Sequence, residues 1–332
     1  MYSAMSRRRF ITFIAAAAGL PLLLKAGGAQ ARPVRWDGTA LGAPASIQLY
    51  HTDETQARAA IAAGLDELKR LEAILSVYRA DSSISILNRD GVLENAPADF
   101  IAMLTRALSL AKISDGVYDP TVQPLWQTYF RHFTASNPDP AGPSPRDLAA
   151  SLALVDWRAV EVDVGRNRVS FARPGMGLTL NSGAQGYITD RVTDVLRSHG
   201  FDRMLVDMGE PRALSAKPDG SAWRIAIANP ANPGSPVTTL EVIDKCVSTS
   251  GGYGTLFDSA GAFTHIMNTR TGHTAPAMLG VSVVADTGIA ADGLSTAMLM
   301  APIEHRQEIL RAAGGLKAIY VTPDGVVSIV EA

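Results

Sequence analysis

Residues 246–302 read CVSTSGGYGTLFDSAGAFTHIMNTRTGHTAPAMLGVSVVADTGIAADGLSTAMLMAP, and their pattern decides the fold. A turn rich in hydroxyls and glycine, Ser248-Thr249-Ser250-Gly251-Gly252, opens the stretch. Thr264-His265-Ile266-Met267 then reads as a strand that delivers His265 to a polar turn, Asn268-Thr269-Arg270-Thr271-Gly272. An apolar run leads into a helix-like segment carrying Asp292 and Thr296. Residue types that bind phosphates, metals or protons therefore fall at the ends of expected strands and helices.

The flanks look like scaffold. Beyond the stretch come a helix at 302–313 and strands at 318–321 and 328–330. Before it, strands are expected at 204–208, 223–227 and 238–243, with a loop at 229–236 that holds three prolines. A short strand at 178–180 ends in a polar turn at 181–187, and a helix follows to about residue 199. Residues 160–164 and 168–171 alternate around Gly165-Arg166-Asn167, as a hairpin does. Helices are expected at 55–77 and 97–114, where apolar residues recur at spacings of three and four. Residues 135–145 hold four prolines and read as an exposed loop, and alternation from Ala45 marks the first strand. Many strands are joined by glycine turns rather than by crossover helices. The fold class is therefore α+β rather than Rossmann.

Composition narrows the function. The chain has 332 residues, 47% of them hydrophobic, enough for one large core. A single cysteine, Cys246, excludes a disulfide framework, and six scattered histidines without an HExxH pattern argue against a catalytic zinc. Residues 1–31 read as a twin-arginine signal peptide: Ser6-Arg7-Arg8-Arg9-Phe10-Ile11, an apolar run to Leu24, then Ala29-Gln30-Ala31. Its removal leaves 26 basic and 32 acidic residues, a balance that disfavours nucleic acid as a partner. The expected mature unit is 32–332, soluble and periplasmic.

The chemistry of the stretch is suggestive residue by residue. Ser248, Thr249 and Ser250 beside two glycines can bring hydroxyl and backbone donors close to a phosphate, or simply make a turn. The turn at 181–187, between a strand and a helix, can present backbone N–H groups to an anion. Arg270 can pair with a phosphate or a carboxylate. Asp292 and Thr296 lie at i and i+4, so they share a helix face. A carboxylate with a hydroxyl suits a hard ion such as Mg²⁺, although each can also act as a cap or a local backbone partner. Ser250 is not in a G-x-S-x-G elbow, which disfavours a serine hydrolase.

These blocks together resemble the ApbE family, the FAD:protein FMN transferases. The resemblance rests on Ser248-Thr249-Ser250-Gly251-x-Tyr253, His265-Ile266-x-Asn268-x-Arg270-Thr271-Gly272 and Ala291-Asp292-x-x-Ser295-Thr296. It continues through Ala184-Gln185-Gly186-Tyr187-x-x-Asp190-Arg191, Asp119-Pro120-Thr121-Val122-x-Pro124-Leu125 and Ser82-x-Ile84-Ser85-x-Leu87-Asn88. The leader and Gly209-Glu210 look most like the exported members associated with nitrous oxide respiration, the NosX group. The resemblance implies an α+β, T-fold-related architecture of antiparallel sheets with packed helices and an FAD site between lobes. It implies transfer of FMN from FAD to a threonine hydroxyl of a periplasmic or membrane-bound flavoprotein, a NosR-like protein among the candidates, with release of AMP and a need for Mg²⁺. Metal ligands would be Ala184, Asp292 and Thr296. Cofactor contacts would come from Tyr118, Asp119, Thr121, Ser182, Tyr187, Glu210, Ser248, Thr249, Ser250 and His265. Catalysis would involve His265 as base, with Asp292 as the alternative in that role, and the metal and Arg270 for charge on the phosphoryl oxygens. The alternatives are an FAD-binding maturation factor with little catalysis and an FAD pyrophosphatase. This chain departs from the family pattern at Gln185, where lysine is usual, at Gly209-Glu210-Pro211, where a Gly-Gly pair is usual, and at Thr269, where proline is usual.

Overall fold

The computed structural model describes residues 31–274, 280–322 and 324–332. The expected leader lies outside them except for Ala31. No helix among the described residues is long and apolar enough to cross a membrane.

The chain enters through an antiparallel hairpin, β1 (Arg32–Ala40) and β2 (Ala43–His51), turned at Leu41 and Gly42, both with positive φ. Asp53 caps α1 (Glu54–Leu75) by accepting the N–H groups of Thr55 and Gln56 at 2.9 and 3.1 Å. The Ser82 hydroxyl caps α2 (Ser83–Asp90) through the Ser85 N–H. Next come β3 (Val92–Leu93), α3 (Ala98–Ile113), α4 (Gln123–Phe133), α5 (Pro145–Leu152), β4 (Val160–Asp163) and β5 (Arg168–Phe171). The second half contains α6 (Asn181–Ser198), β6 (Met204–Asp207), β7 (Pro211–Leu214), β8 (Trp223–Asn229), β9 (Asn232–Val242) and β10 (Lys245–Gly251). It ends with β11 (Gly280–Ala285), α7 (Gly288–Met300), α8 (Arg306–Ala312), β12 (Gly315–Val321) and β13 (Val327–Glu331).

Eight strands form one sheet in the order β1-β2-β6-β7-β10-β11-β12-β13, and every adjacent pair is antiparallel. Smaller sheets join β3-β5-β4 and β8-β9. The fold is thus α+β with antiparallel sheets and packed helices. Helices α1, α6 and α7 pack together, with α7 lying on β10 and β11. On the opposite face, Trp223, Ile225 and Ile227 of β8 bury against Val247, Ile319 and Val321. Side chains alternate across a strand. Val247 therefore enters that cluster, whereas Ser248 faces α7.

Five local expectations change. β1 was not expected, because this edge strand is exposed along most of its length and lacks clean alternation. Residues 178–180 are not a strand; the polar turn after them is the first turn of α6, kinked at Ser182 (φ −83°, ψ 31°). Residues 264–267 make only isolated bridges, Leu256 with Thr264 and Met267 with Thr274. Helix α4 was not expected; Pro124 is tolerated where the helix starts. The expected loop at 229–236 is mostly the hairpin end of β8 and β9. Pro236 fits in β9 because that strand pairs only with β8 among the described residues.

Candidate active site

Helices α6 and α7 cross where Gly186 meets Gly288. A Cβ on either glycine would overlap the other's carbonyl, so only glycine permits this approach. Two carboxylates fasten the crossing. Asp190 of α6 accepts the Gly288 and Ile289 N–H groups at 2.7 and 3.0 Å, and so caps α7, whose own Thr287 makes no side-chain cap. Arg212 of β7 donates to Asp190 at 2.5 Å. One turn further along α7, Asp292 accepts the Gly186 N–H at 2.9 Å.

Asp292 lies on the wall of a cavity of about 720 Å³, in the range of a cofactor pocket. The β1–β2 turn, the end of α1, residues 117–123, α4, the start of α6, β10, residues 253–269 and α7 all contribute to it. Nine of the expected site residues line it: Tyr118, Asp119, Ser182, Glu210, Thr249, Ser250, His265, Asp292 and Thr296. Asp292 is 4% exposed and Glu210 7%. Burial pushes Asp292 up to about 7 and raises Glu210 well above the carboxylate range, with Asp292's charge adding to the effect on Glu210. Nearby Asp207 is pushed up to about 6, again by burial. Among the described residues no lysine or arginine lines the cavity.

The hydroxyls form a chain that runs inward from this wall. Ser250 Oγ lies 3.0 Å from Thr296 Oγ1 and 2.7 Å from Ser295 Oγ, and Ser248 Oγ lies 3.2 Å from Ser295 Oγ. Ser248 is fully buried beneath the cavity surface. Thr249 donates its backbone N–H to Glu210 at 3.3 Å.

His265 holds its Nδ1 3.1 Å from the Thr255 carbonyl. A carbonyl can only accept, so Nδ1 carries the proton and Nε2 is the basic nitrogen. Burial lowers the imidazole's affinity for a second proton. The ring is therefore neutral at physiological pH.

Five expected residues are not on the cavity wall. The Arg270 guanidinium is exposed and donates to Asp115 Oδ2 at 2.7 Å and to the Asp115 carbonyl at 2.8 Å. That pairing fixes a loop and leaves Arg270 outside the cavity; its neighbour Thr269 lines it instead. Tyr187 donates to Asp99 at 2.6 Å, within a group that includes Arg70 and Arg191. Thr121 is buried, and its hydroxyl donates to Asp119 at 2.6 Å and accepts the Asp156 N–H at 2.8 Å. It acts as a loop staple. Ser248 lies behind the wall, as described. Ala184 is fully buried in the first turn of α6, between the cavity-lining Ser182 and Gln185.

The aromatic side of the cavity escaped the sequence reading. Trp126 and Phe130 of α4 stack with centroids 5.0 Å apart, and Tyr78, 71% exposed, stands at the mouth. Their signal was an aromatic pair at i and i+4, in a segment where no helix was expected.

The chain is similar to known proteins along most of its length. The ApbE family model matches residues 41–320. An FAD:protein FMN transferase of Treponema pallidum (strain Nichols) is 29% identical over 279 residues, 77% of this chain and 75% of the relative. One from Klebsiella pneumoniae (strain 342) is 28% identical over 302 residues, 88% of this chain and 90% of the relative. Among solved structures, the apo form of the Pseudomonas stutzeri flavinyl transferase ApbE superposes with a TM-score of 0.77 at 28% identity, covering 91% of this chain and 95% of the other. With a family match spanning most of the sequence, a shared fold and the family's motifs gathered at one cavity, this chain belongs to the ApbE family.

Proposed function

We propose that the protein is an FAD:protein FMN transferase that moves the FMN half of FAD to a threonine hydroxyl of a flavoprotein, releases AMP and requires Mg²⁺. One observation carries this reading: a cavity of about 720 Å³ joins buried carboxylates, a row of hydroxyls, a neutral imidazole and an aromatic wall, with no lysine or arginine among the described residues that line it. A pyrophosphate seated beside Asp119, Glu210 and Asp292 repels their carboxylates once these ionise, and a bound cation would offset that repulsion. The lysine usual in the family is Gln185 here, which sharpens the need for that cation. Hard oxygen donors are at hand in Asp292, in Thr296 and in the carbonyl of Ala184, and such donors suit Mg²⁺. Among the described residues no three His, Cys, Asp or Glu side chains group as a metal cage; this set uses only one such side chain.

Bound there, Mg²⁺ would neutralise charge on the pyrophosphate. The chain's own residues do the rest. Trp126 and Phe130 offer a flat apolar face to an aromatic ring. His265 Nε2 takes the proton of the incoming threonine hydroxyl as its oxygen bonds to the FMN phosphorus. The bond from that phosphorus to the bridging oxygen breaks, and AMP leaves with the electron pair. Arg270 has no part in this scheme. The acceptor is a periplasmic or membrane-bound flavoprotein reached by twin-arginine export, in keeping with the resemblance to the NosX group and a NosR-like partner.

Incubating the purified protein with FAD, MgCl₂ and an acceptor fragment tests the reading by mass. Acceptor heavier by one FMN, at a threonine, supports it. Free FMN and AMP with unlabelled acceptor would instead identify a pyrophosphatase, and intact bound FAD a binding protein.

A further inference from the structure

We propose that Ser295, which contributes nothing to the cavity wall, is a positioning residue that fixes the direction of the Thr296 hydroxyl, so that Thr296 presents lone pairs rather than a proton to a divalent cation. The inference rests on the reading of Asp292 and Thr296 as cation ligands.

The argument is a proton count. Ser295 is 0% exposed, and its Oγ lies within bonding distance of three oxygens: the Asp292 carbonyl at 2.8 Å, Ser250 Oγ at 2.7 Å and Ser248 Oγ at 3.2 Å. A hydroxyl has one proton and two lone pairs. The carbonyl can only accept, so the Ser295 proton goes to Asp292. Ser295 is then an acceptor toward Ser250, while the Ser248 hydroxyl also hydrogen-bonds Glu210. Ser250 must use its single proton on Ser295. Its remaining contact, with Thr296 Oγ1 at 3.0 Å, can only be one in which Thr296 donates. The chain runs one way, from Thr296 to Ser250 to Ser295 to the Asp292 carbonyl.

Two consequences follow for the site. The Thr296 proton is committed to Ser250, and its oxygen is left with lone pairs to offer, the form a hard cation requires. The same chain ties Thr296 through β10 to the backbone of Asp292, so both side chains of the set share one rigid hydrogen-bonded frame. Without the Ser295 hydroxyl, Ser250 could donate to Thr296 and the Thr296 proton would be free to swing toward the cation.

Binding of Mn²⁺, the probe, to the mature chain with FAD present tests this, with free Mn²⁺ read by electron paramagnetic resonance. Wild type should bind and Asp292→Ala should not. Ser295→Ala and the volume-conserving Ser295→Cys should each weaken Mn²⁺ by about 10–100-fold, the scale of losing a residue that orients a ligand. FAD affinity measured in EDTA should stay near wild type, with a modest fall in melting temperature from the lost buried hydroxyl. A merely structural serine would lower the melting temperature and leave Mn²⁺ affinity alone. Wild-type Mn²⁺ affinity in both Ser295 variants, with binding lost in Asp292→Ala, overturns the relay and leaves the cation site standing. Absence of Mn²⁺ binding in an active wild type overturns both. If neither Ser295 variant folds, Ser250→Ala cuts the same chain from the strand side: weakened Mn²⁺ supports the relay, and wild-type affinity rejects it.

Discussion

Asp292 concentrates the cost and the use of this site in one side chain. Its carboxyl is held up to about 7 by burial against an ordinary value of 3.8. Between about pH 4 and pH 7 the folded state keeps a proton that the unfolded state has lost. Metal-free stability therefore falls as pH rises through that window, and Asp207 and Glu210 act with the same sign. Asp292→Asn should flatten part of this slope. In EDTA at pH 8 it should raise the melting temperature by about 2–4 °C for each kcal/mol recovered, measured by calorimetry. The same change should cut FMN transfer by a factor on the order of 100 or more, as loss of one element of transition-state charge stabilisation does. His265→Ala should slow transfer by about 10²–10⁴-fold while FAD still binds. Single-turnover mass spectrometry with a parallel flavin fluorescence titration separates the two effects, and an unchanged rate would remove His265 as the base. Of the polar residues in the opening stretch, His265 and Asp292 could be picked out by chemical type. The pairing of Arg270 with Asp115 could not, because the two are far apart in the chain and meet only through folding.

At the level of elements, the site depends on how closely α6 approaches α7. The Gly186–Gly288 contact is backbone against backbone, and neither side can yield to a methyl group. Gly186→Ala should destabilise the fold by about 1–3 kcal/mol, the usual cost of overpacking, and should displace the N–H that Asp292 accepts. Chemical denaturation gives the first effect and loss of transfer the second; a variant with wild-type stability would show that the crossing can relax. Asp190→Asn leaves Arg212 with a neutral partner and weakens the cap on α7. A loss of about 1–3 kcal/mol is expected from the same denaturation experiment. Both residues stand in motifs quoted from the sequence, yet neither showed its task there. Spacing along one helix cannot reveal which helix crosses it. The helices themselves were legible from their apolar spacing, as at Leu68, Leu71 and Leu75 of α1. Helix α4 was not, because Asp119-Pro120 and Pro124 carry turn chemistry that also suits a helix start.

Across the whole molecule, an acidic cavity must wait for its ligands. FAD and Mg²⁺ together should raise the melting temperature more than the sum of their separate effects, since each removes a cost the other faces. A site filled at a hundredfold excess over its Kd adds about 2.7 kcal/mol. Scanning calorimetry with FAD, MgCl₂, both or neither measures this coupling; purely additive shifts would argue against joint binding. The sequence by itself determined the α+β class, most helices and the family, because hydrophobic period, turn chemistry and residue order are local properties of the chain. Even the stretch at 246–302 disclosed its candidate ligands, since Asp292 and Thr296 are one helical turn apart. Only the tertiary structure decided which polar residues face the cavity, that Arg270 and Tyr187 do not, that α4 supplies an aromatic wall, and that no lysine or arginine among the described residues lines the pocket. Those outcomes depend on contacts between residues up to 155 positions apart, as in the Arg270–Asp115 pair, and on burial. Neither is encoded in any local pattern.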